Sequence, residues 1–275
     1  MDLVHGVAGL SADHGRLFVV VGVFDGLHRG HHYLLARLRA AARAHGARPA
    51  VITFDAHPDE IVLGHAPPLL CDPEERLARM AAAGVEVAVV QHFDAALRMT
   101  EYDTFVGWVA ERVDLAGFLM TPDAAFGHDR RGTPATLASL GTRLGFTVAV
   151  VPPYAVDGLP VRSASIRAAI ASGDLTQARH LLGRPMAVTG DRDDSTVGFP
   201  IPVALPPDGR YAATIEPAWT EDGRQAPPRQ TIGVVAGQRV GTGRAASTEG
   251  PRVRLTLGRR LPEDGNPAIL RRSQK

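Results

Sequence analysis

Two histidines three positions apart, His28 and His31, stand in the stretch Gly22-Val23-Phe24-Asp25-Gly26-Leu27-His28-Arg29-Gly30-His31. An apolar run over 17–23 leads into it, and a run rich in Ala, Leu and Arg over 31–45 leads out. That order reads as strand, glycine-punctuated loop, helix. Helix N-termini carry unpaired N–H groups and a partial positive charge, so phosphates bind there. Glycine lets the backbone approach a ligand closely. Backbone amides and two imidazoles at one helix start therefore suit the phosphates of a nucleotide. A metal site fits less well, because no carboxylate or cysteine nearby has ligand spacing to both histidines. His32 and His45 lack this context and read as ordinary helix-surface residues.

Three further clusters carry polar or aromatic groups. Thr53-Phe54-Asp55-Ala56-His57-Pro58 ends a second apolar run with a turn stiffened by proline. Asp123-Ala124-Ala125-Phe126-Gly127 lies in a long polar loop over 121–133. Arg162-Ser163-Ala164-Ser165-Ile166-Arg167 opens a short helix, with Ser163 as its expected cap and Arg167 one turn on. Ser163 and Arg167 form a second candidate anion grip, opposite the one at 28–31.

The elements that must position these groups follow from hydrophobic periodicity. Strands are expected at 17–23, 50–54, 85–91, 117–120 and 146–151. Helices are expected at 31–45, 72–83, 100–113, 134–144, 163–171 and 174–182. Alternation of strand and helix implies an α/β fold with a parallel, Rossmann-like sheet. Ligands of such sheets sit at the carboxyl ends of the strands. The loops after Val23, Phe54 and Met120 all lie there and should face one crevice. After about Gly183 the helical periodicity stops, and short β-type runs with many Pro and Gly take over. That part reads as a small all-β domain, with a barrel as its candidate form. Its polar stretches near 218–230 and 241–250 are expected to be mobile.

Bulk properties narrow the classes. The 275 residues are enough for two domains, and 45% are hydrophobic. A net charge of +1 argues against a dedicated nucleic-acid partner. Cys71 is the only cysteine, which rules out an intramolecular disulfide and a multi-cysteine zinc site. Residues 1–15 show no secretory pattern and no apolar run approaches a membrane span, so the expected compartment is the cytoplasm.

Together these motifs resemble the prokaryotic FAD synthetase family, the adenylyltransferase half of the bifunctional riboflavin kinase/FMN adenylyltransferases. The pattern Gly-x-Phe-Asp-Gly-x-His-x-Gly-His is complete from Gly22 to His31. Thr53, Phe54, His57 and Pro58 match a second motif, Asp123, Phe126 and Gly127 a third, and Ser163, Ile166 and Arg167 a fourth. The resemblance implies a nucleotidyltransferase domain over 1–185 and a riboflavin-kinase-like β domain over 186–275. It implies that AMP passes from ATP to FMN, giving FAD and pyrophosphate, with magnesium arriving on the nucleotide. His28, His31 and Arg167 would be catalytic. Gly22, Phe24, Asp25, Gly30 and Ser163 would hold the nucleotide, with Asp25 near the magnesium. Phe54, His57, Pro58, Asp123 and Phe126 would bound the flavin.

The chain departs from the family pattern at three places. Ala124 replaces a Phe of the flavin-side loop, and Arg162-Ser163-Ala164 replaces a run of hydroxyls. In the β domain, Gly198-Phe199-Pro200-Ile201-Pro202-Val203 replaces the kinase motif Gly-Phe-Pro-Thr-Ala-Asn, so both polar magnesium–ATP ligands are apolar here. The kinase is therefore expected to be degenerate. Two other readings compete with FAD synthesis: a sister nucleotidyltransferase with another phosphate-bearing acceptor, and a non-catalytic flavin or nucleotide sensor.

Overall fold

Consecutive residues of one strand, Leu17-Phe18-Val19-Val20, are all buried, which requires cover on both faces of the sheet. The computed structural model, which describes residues 1–218, 228–242 and 251–262, supplies that cover. In chain order the first part comprises β1 (Asp2–His5), β2 (Arg16–Val21), α1 (Arg29–Ala44), β3 (Arg48–Phe54), α2 (Pro58–Leu63), α3 (Pro73–Ala82), β4 (Val87–Gln91), α4 (Ala95–Arg98), α5 (Tyr102–Ala110), β5 (Asp114–Met120), α6 (Pro134–Leu144), β6 (Thr147–Val150) and a two-strand ribbon, β7 (Ala155–Val156) and β8 (Leu159–Pro160). The six main strands form one sheet in the order β1-β4-β3-β2-β5-β6, and every neighbouring pair is parallel.

The two faces bury two cores. Leu17 and Val19 join Ala50, Ile52, Val106 and Leu137 on one side, under α5 and α6. Phe18 and Val20 join Val51, Leu35, Leu38 and Met80 on the other, under α1 and α3. The strand order reverses direction at β2, which lies between β3 and β5. A switch point of this kind opens a crevice at the strand carboxyl ends.

The sequence-based assignment needs corrections here, and α4, β7 and β8 are additions to it. Strand β1 has no counterpart among the expected strands; it is a four-residue edge strand paired with β4. The turn expected at 55–58 is followed by a helix that was not expected, α2, which begins at Pro58 with His57 as its cap. Helix α1 starts at Arg29, not at 31, so His28 is its cap residue. Helix α7 (Ser163–Ala171) has Arg162 at its cap position without a side-chain cap bond, so Ser163 is the first helical residue and not the cap.

The chain divides into two compact units, Met1–Pro67 with Pro73–Val161, and Pro68–Asp72 with the described residues from Arg162 on. The second unit thus takes in α7 and α8 (Leu175–Leu182), ahead of the compositional change at 185/186. It continues with β9 (Ala187–Asp193), β10 (Thr196–Gly198), β11 (Gly209–Pro217), β12 (Arg229–Ala236), β13 (Arg239–Gly241) and β14 (Arg252–Arg260). These six strands close into an antiparallel barrel in the order β10-β13-β12-β11-β14-β9. Tyr211, Ile215, Val253 and Leu255 are fully buried in it, and the Tyr211 hydroxyl donates to the Pro207 carbonyl at 2.7 Å. Residues 219–227 and 243–250, within the stretches for which mobility is the expectation, lie outside the described residues.

Two glycines predict opposite stability effects. A Cβ at Gly117, in β5, would sit 2.5 Å from the Thr147 carbonyl oxygen and 2.7 Å from the Phe18 ring. A Cβ at Gly107, inside α5, would meet nothing within 4 Å. In urea unfolding, Gly117→Ala should cost about 1–3 kcal/mol. Gly107→Ala should gain roughly 0.5–1 kcal/mol from helix propensity.

Candidate active site

The chain leaves β2 through a loop that is left-handed at two bulky residues, Phe24 (φ 55°) and Leu27 (φ 36°). Such backbone costs of order 1–3 kcal/mol per residue and persists only where the surroundings impose it. Here both side chains are anchors: Phe24 is 3% exposed and Leu27 fully buried in the core under α1. The Leu27 amide closes the turn on the Phe24 carbonyl at 3.3 Å.

This turn delivers His28 to the start of α1. Its Nδ1 accepts the His31 amide at 3.3 Å, a long bond that caps the helix. An Nδ1 that accepts leaves the ring proton on Nε2. The His28 and His31 rings stack with centroids 3.6 Å apart and planes 20° from parallel. The Phe24 ring backs His31 at 5.0 Å. Gly30 makes this possible, since a Cβ there would lie 3.1 Å from His28 ring atoms and from the Val161 carbonyl. His28 and Asp25 are 4% and 3% exposed, so the loop is a buried frame and not a flexible surface turn.

Beside the loop opens a cavity of about 550 Å³, within the range typical of small-molecule sites. Gly22 and Val23 of the loop form part of its lining, together with Phe54, His57, Pro58, Phe93, Phe126, Gly127 and His128. Four of the five residues assigned to the flavin side are thus brought together. The fifth, Asp123, is not among the lining residues; its carboxylate accepts the Thr121 hydroxyl at 2.8 Å in an exposed local turn. His57 caps α2, its Nδ1 accepting the Asp59 amide at 3.2 Å. Phe126 is held from behind by Phe105 and Phe118, at 5.8 and 6.0 Å. Gly127 (φ 75°) lets this loop press against α5, where a Cβ would fall 2.6 Å from the Tyr102 amide nitrogen. Ala124, in place of an aromatic wall, packs against the core of that face.

Phe93 of this lining, and His92 beside it, escaped the sequence reading. Phe93 meets Phe54 edge-on at 5.3 Å. His92 and Asp55 clip the ends of β4 and β3 together at 2.6 Å, and Asp55 also accepts the Phe93 amide at 3.2 Å. No motif marks this pair; only pairing of β3 with β4 brings them together. Ser163 and Arg167, of the second unit, stand in the first and second turns of α7, and the Arg167 Nε donates to the Pro68 carbonyl at 2.8 Å. Among the described residues no group of three or more His, Cys, Asp or Glu side chains is placed to hold a metal ion. Nor is any helix among them long and apolar enough to cross a membrane.

The clip titrates with a defined sign. Burial pushes the Asp55 carboxyl up, but hydrogen bonds from His92, Phe93 and Ala56 outweigh it and hold Asp55 below the usual carboxylate range. The hydrogen bond and charge of Asp55 raise His92 above its ordinary 6.5. Stabilisation from His92 is full below that ordinary value and fades as pH rises through the raised one. Stabilisation from Asp55 is full above its ordinary 3.8 and is lost as pH falls through the depressed one. Imidazole proton resonances should show His92 titrating above 6.5 in the native chain and returning towards 6.5 in Asp55→Asn. An identical titration in both proteins would remove the clip.

Comparison with known proteins agrees with this geometry. The FAD synthetase family model matches residues 10–165, which include the loop, both histidines and the cavity lining. The bifunctional riboflavin kinase/FMN adenylyltransferase of Pseudomonas fluorescens is 32% identical over 191 residues, 69% of this chain and 61% of that protein. The protein of the same name from Escherichia coli K12 is 30% identical over 208 residues, 73% of this chain and 66% of that one. The match therefore spans just under two thirds of these relatives. A solved structure of a macrolide-efflux protein from Streptococcus pneumoniae superposes with a TM-score of 0.76 at 21% identity, covering 98% of this chain and 94% of that one, a likeness of fold. With more than half of its length matched by the family model, and with the family's histidine loop built at the switch point of a parallel sheet, the chain belongs to the FAD synthetase family.

Proposed function

We propose that the chain is an FMN adenylyltransferase: it transfers AMP from ATP to FMN and releases FAD and pyrophosphate. The observation that carries this reading is the left-handed loop, which sets two stacked imidazoles at a helix N-terminus and shares Gly22 and Val23 with an aromatic cavity. One element thus serves a phosphate chain and a flat ring system. An oxygen of the FMN phosphate attacks the α-phosphorus in line, and the bond from that phosphorus to the bridging oxygen of the β-phosphate breaks. The nucleophile is already an anion, so neither a strong base nor a covalent enzyme intermediate is needed. Catalysis rests on positioning and on charge stabilisation.

His28 would donate its Nε2–H to phosphate oxygen as charge builds, and His31 would act beside it. Gly22, Phe24 and Gly30 would bring backbone close to the nucleotide. Magnesium would enter on the triphosphate, and Asp25, the carboxylate of the loop, would hold it through water; the ion would supply further charge neutralisation. The assignment of Ser163 and Arg167 to the departing pyrophosphate rests on the sequence motif alone. Phe54, His57, Pro58 and Phe126 would bound the isoalloxazine, and Asp123 would act from the rim. The cytoplasm remains the expected compartment.

The barrel supports a second statement, that riboflavin kinase activity is lost. Ile201, at the motif's Thr position, is 51% exposed and offers no ligand atom. Val203, at the Asn position, is buried, and its backbone is bracketed by the Gln238 amide at 3.2 and 3.3 Å.

Pyrophosphate release from ATP and magnesium should require FMN and yield FAD; release with another phosphate-bearing acceptor only, or tight flavin binding without release, would replace the reading. His31→Ala should lose about 100–1000-fold in rate. His28 is better changed to Asn, which can still cap α1; an alanine would also forfeit about 1 kcal/mol of capping. Near wild-type turnover in either variant would take that histidine out of the mechanism. With riboflavin and ATP the chain should form no FMN above background.

A further inference from the structure

Arg76, on α3, is 7% exposed and points its guanidinium at the ends of two strands. One terminal nitrogen donates to the Val23 carbonyl at 3.1 Å, and the other donates to the Phe54 carbonyl at 2.8 Å. These are the last residues before the left-handed loop and before the Asp55–Pro58 turn. Both line the cavity. The Val23 carbonyl takes a second bond, from the hydroxyl of the fully buried Thr53 at 3.1 Å. Past the end of a parallel strand, carbonyls no longer meet the amides of the next strand. Without Arg76 the Phe54 carbonyl would lose this donor and the Val23 carbonyl would keep only the Thr53 bond, so both segments would be held less firmly.

We propose that Arg76 is a positioning residue for both substrates: its planar fork sets the spacing between the phosphate loop and the flavin wall and so holds both in the binding-competent form. It rests on the assignment of these walls to ATP and FMN made above. Arginine suits the task because its donors are fixed in one plane, so two acceptors are held at a set separation. A lysine carries the same charge as a single point and cannot fork in that way. Since Val23 precedes Phe24, whose φ of 55° is strained, slack at Val23 would let the loop relax. When only part of the population keeps the competent loop, apparent affinity falls by that fraction, while the bound state, once formed, reacts as before.

The test uses the full chain with Arg76→Met and, because removing a buried cation can impair folding, Arg76→Lys. Two readouts are taken: steady-state KM and kcat for ATP and FMN, and amide hydrogen exchange resolved by peptide. The expected result is a rise of about tenfold in both KM values. The kcat at saturation should stay within about threefold, and exchange should quicken in 22–28 and 54–58 while β4 and β5 keep their protection. If Arg76→Met does not fold, Arg76→Lys decides alone, with the same pattern at smaller amplitude. Unchanged KM values, a change in one substrate only, or exchange that quickens evenly along the chain would each overturn the proposal. The last outcome would make Arg76 a general stabiliser. Should the native chain form no FAD, the adenylyltransferase reading falls, and local exchange in the two segments still decides whether Arg76 holds them.

Discussion

Phe24 and Leu27 are the residues on which the rest of the site depends. Each sits in left-handed backbone, and each has its side chain sealed in the core beneath α1. Burying a large apolar side chain contributes about 1.5–3 kcal/mol, the same order as the strain of the backbone that carries it. The core therefore pins a loop that local preference would release. The start of α1 inherits that rigidity. His28 reaches the helix start, its ring lies on His31, and Gly30 leaves the space in which the stack fits. An enzyme that works by positioning needs such a frame before its ligands arrive, because ordering a loop at the moment of binding subtracts from affinity.

Under the proposed reading the site has two walls of different character. The phosphate wall would be the imidazoles and helix-start amides of the histidine loop, whose placement is fixed by backbone geometry. The other wall is aromatic, with Phe54, Phe93 and Phe126 each braced by a further ring or by the core. Charged residues, among them Asp59, Arg98, Asp129 and Arg130, line the same cavity. Ala124 leaves the loop over 121–133 less aromatic than the family pattern.

Periodicity read the strands and helices of the parallel sheet well, because each element there is long enough to show two-sided burial or one apolar stripe. The histidine loop was legible for a different reason: its spacing is imposed by a turn that few sequences can make. The features that stayed hidden were short or non-local. Strand β1 has four residues and little pattern of its own, and β4 alone makes it a strand. Helix α2 is one and a half turns behind a proline that reads as a turn; acidic residues at 59 and 60 were the available signal. Asp55 with His92, and Arg76 with Val23 and Phe54, are partners 37, 53 and 22 residues apart, joined only when the strands align. Asp123 was legible as part of a motif, yet its carboxylate turns to Thr121 instead of lining the cavity.

The pairing of β1 with β4 also bears on how the chain is made. Asp2 lies opposite Val87, so the first strand emerges from the ribosome 85 residues before its partner. At a synthesis rate of roughly 5–20 residues per second, it waits for about four to seventeen seconds with its edge uncovered. The strands β2 and β3 can pair much earlier, with only α1 between them. Assembly during translation thus runs outward from the switch point: the histidine loop is framed while the sheet's margin is still open, and β1 is the strand most exposed to pairing with another nascent chain.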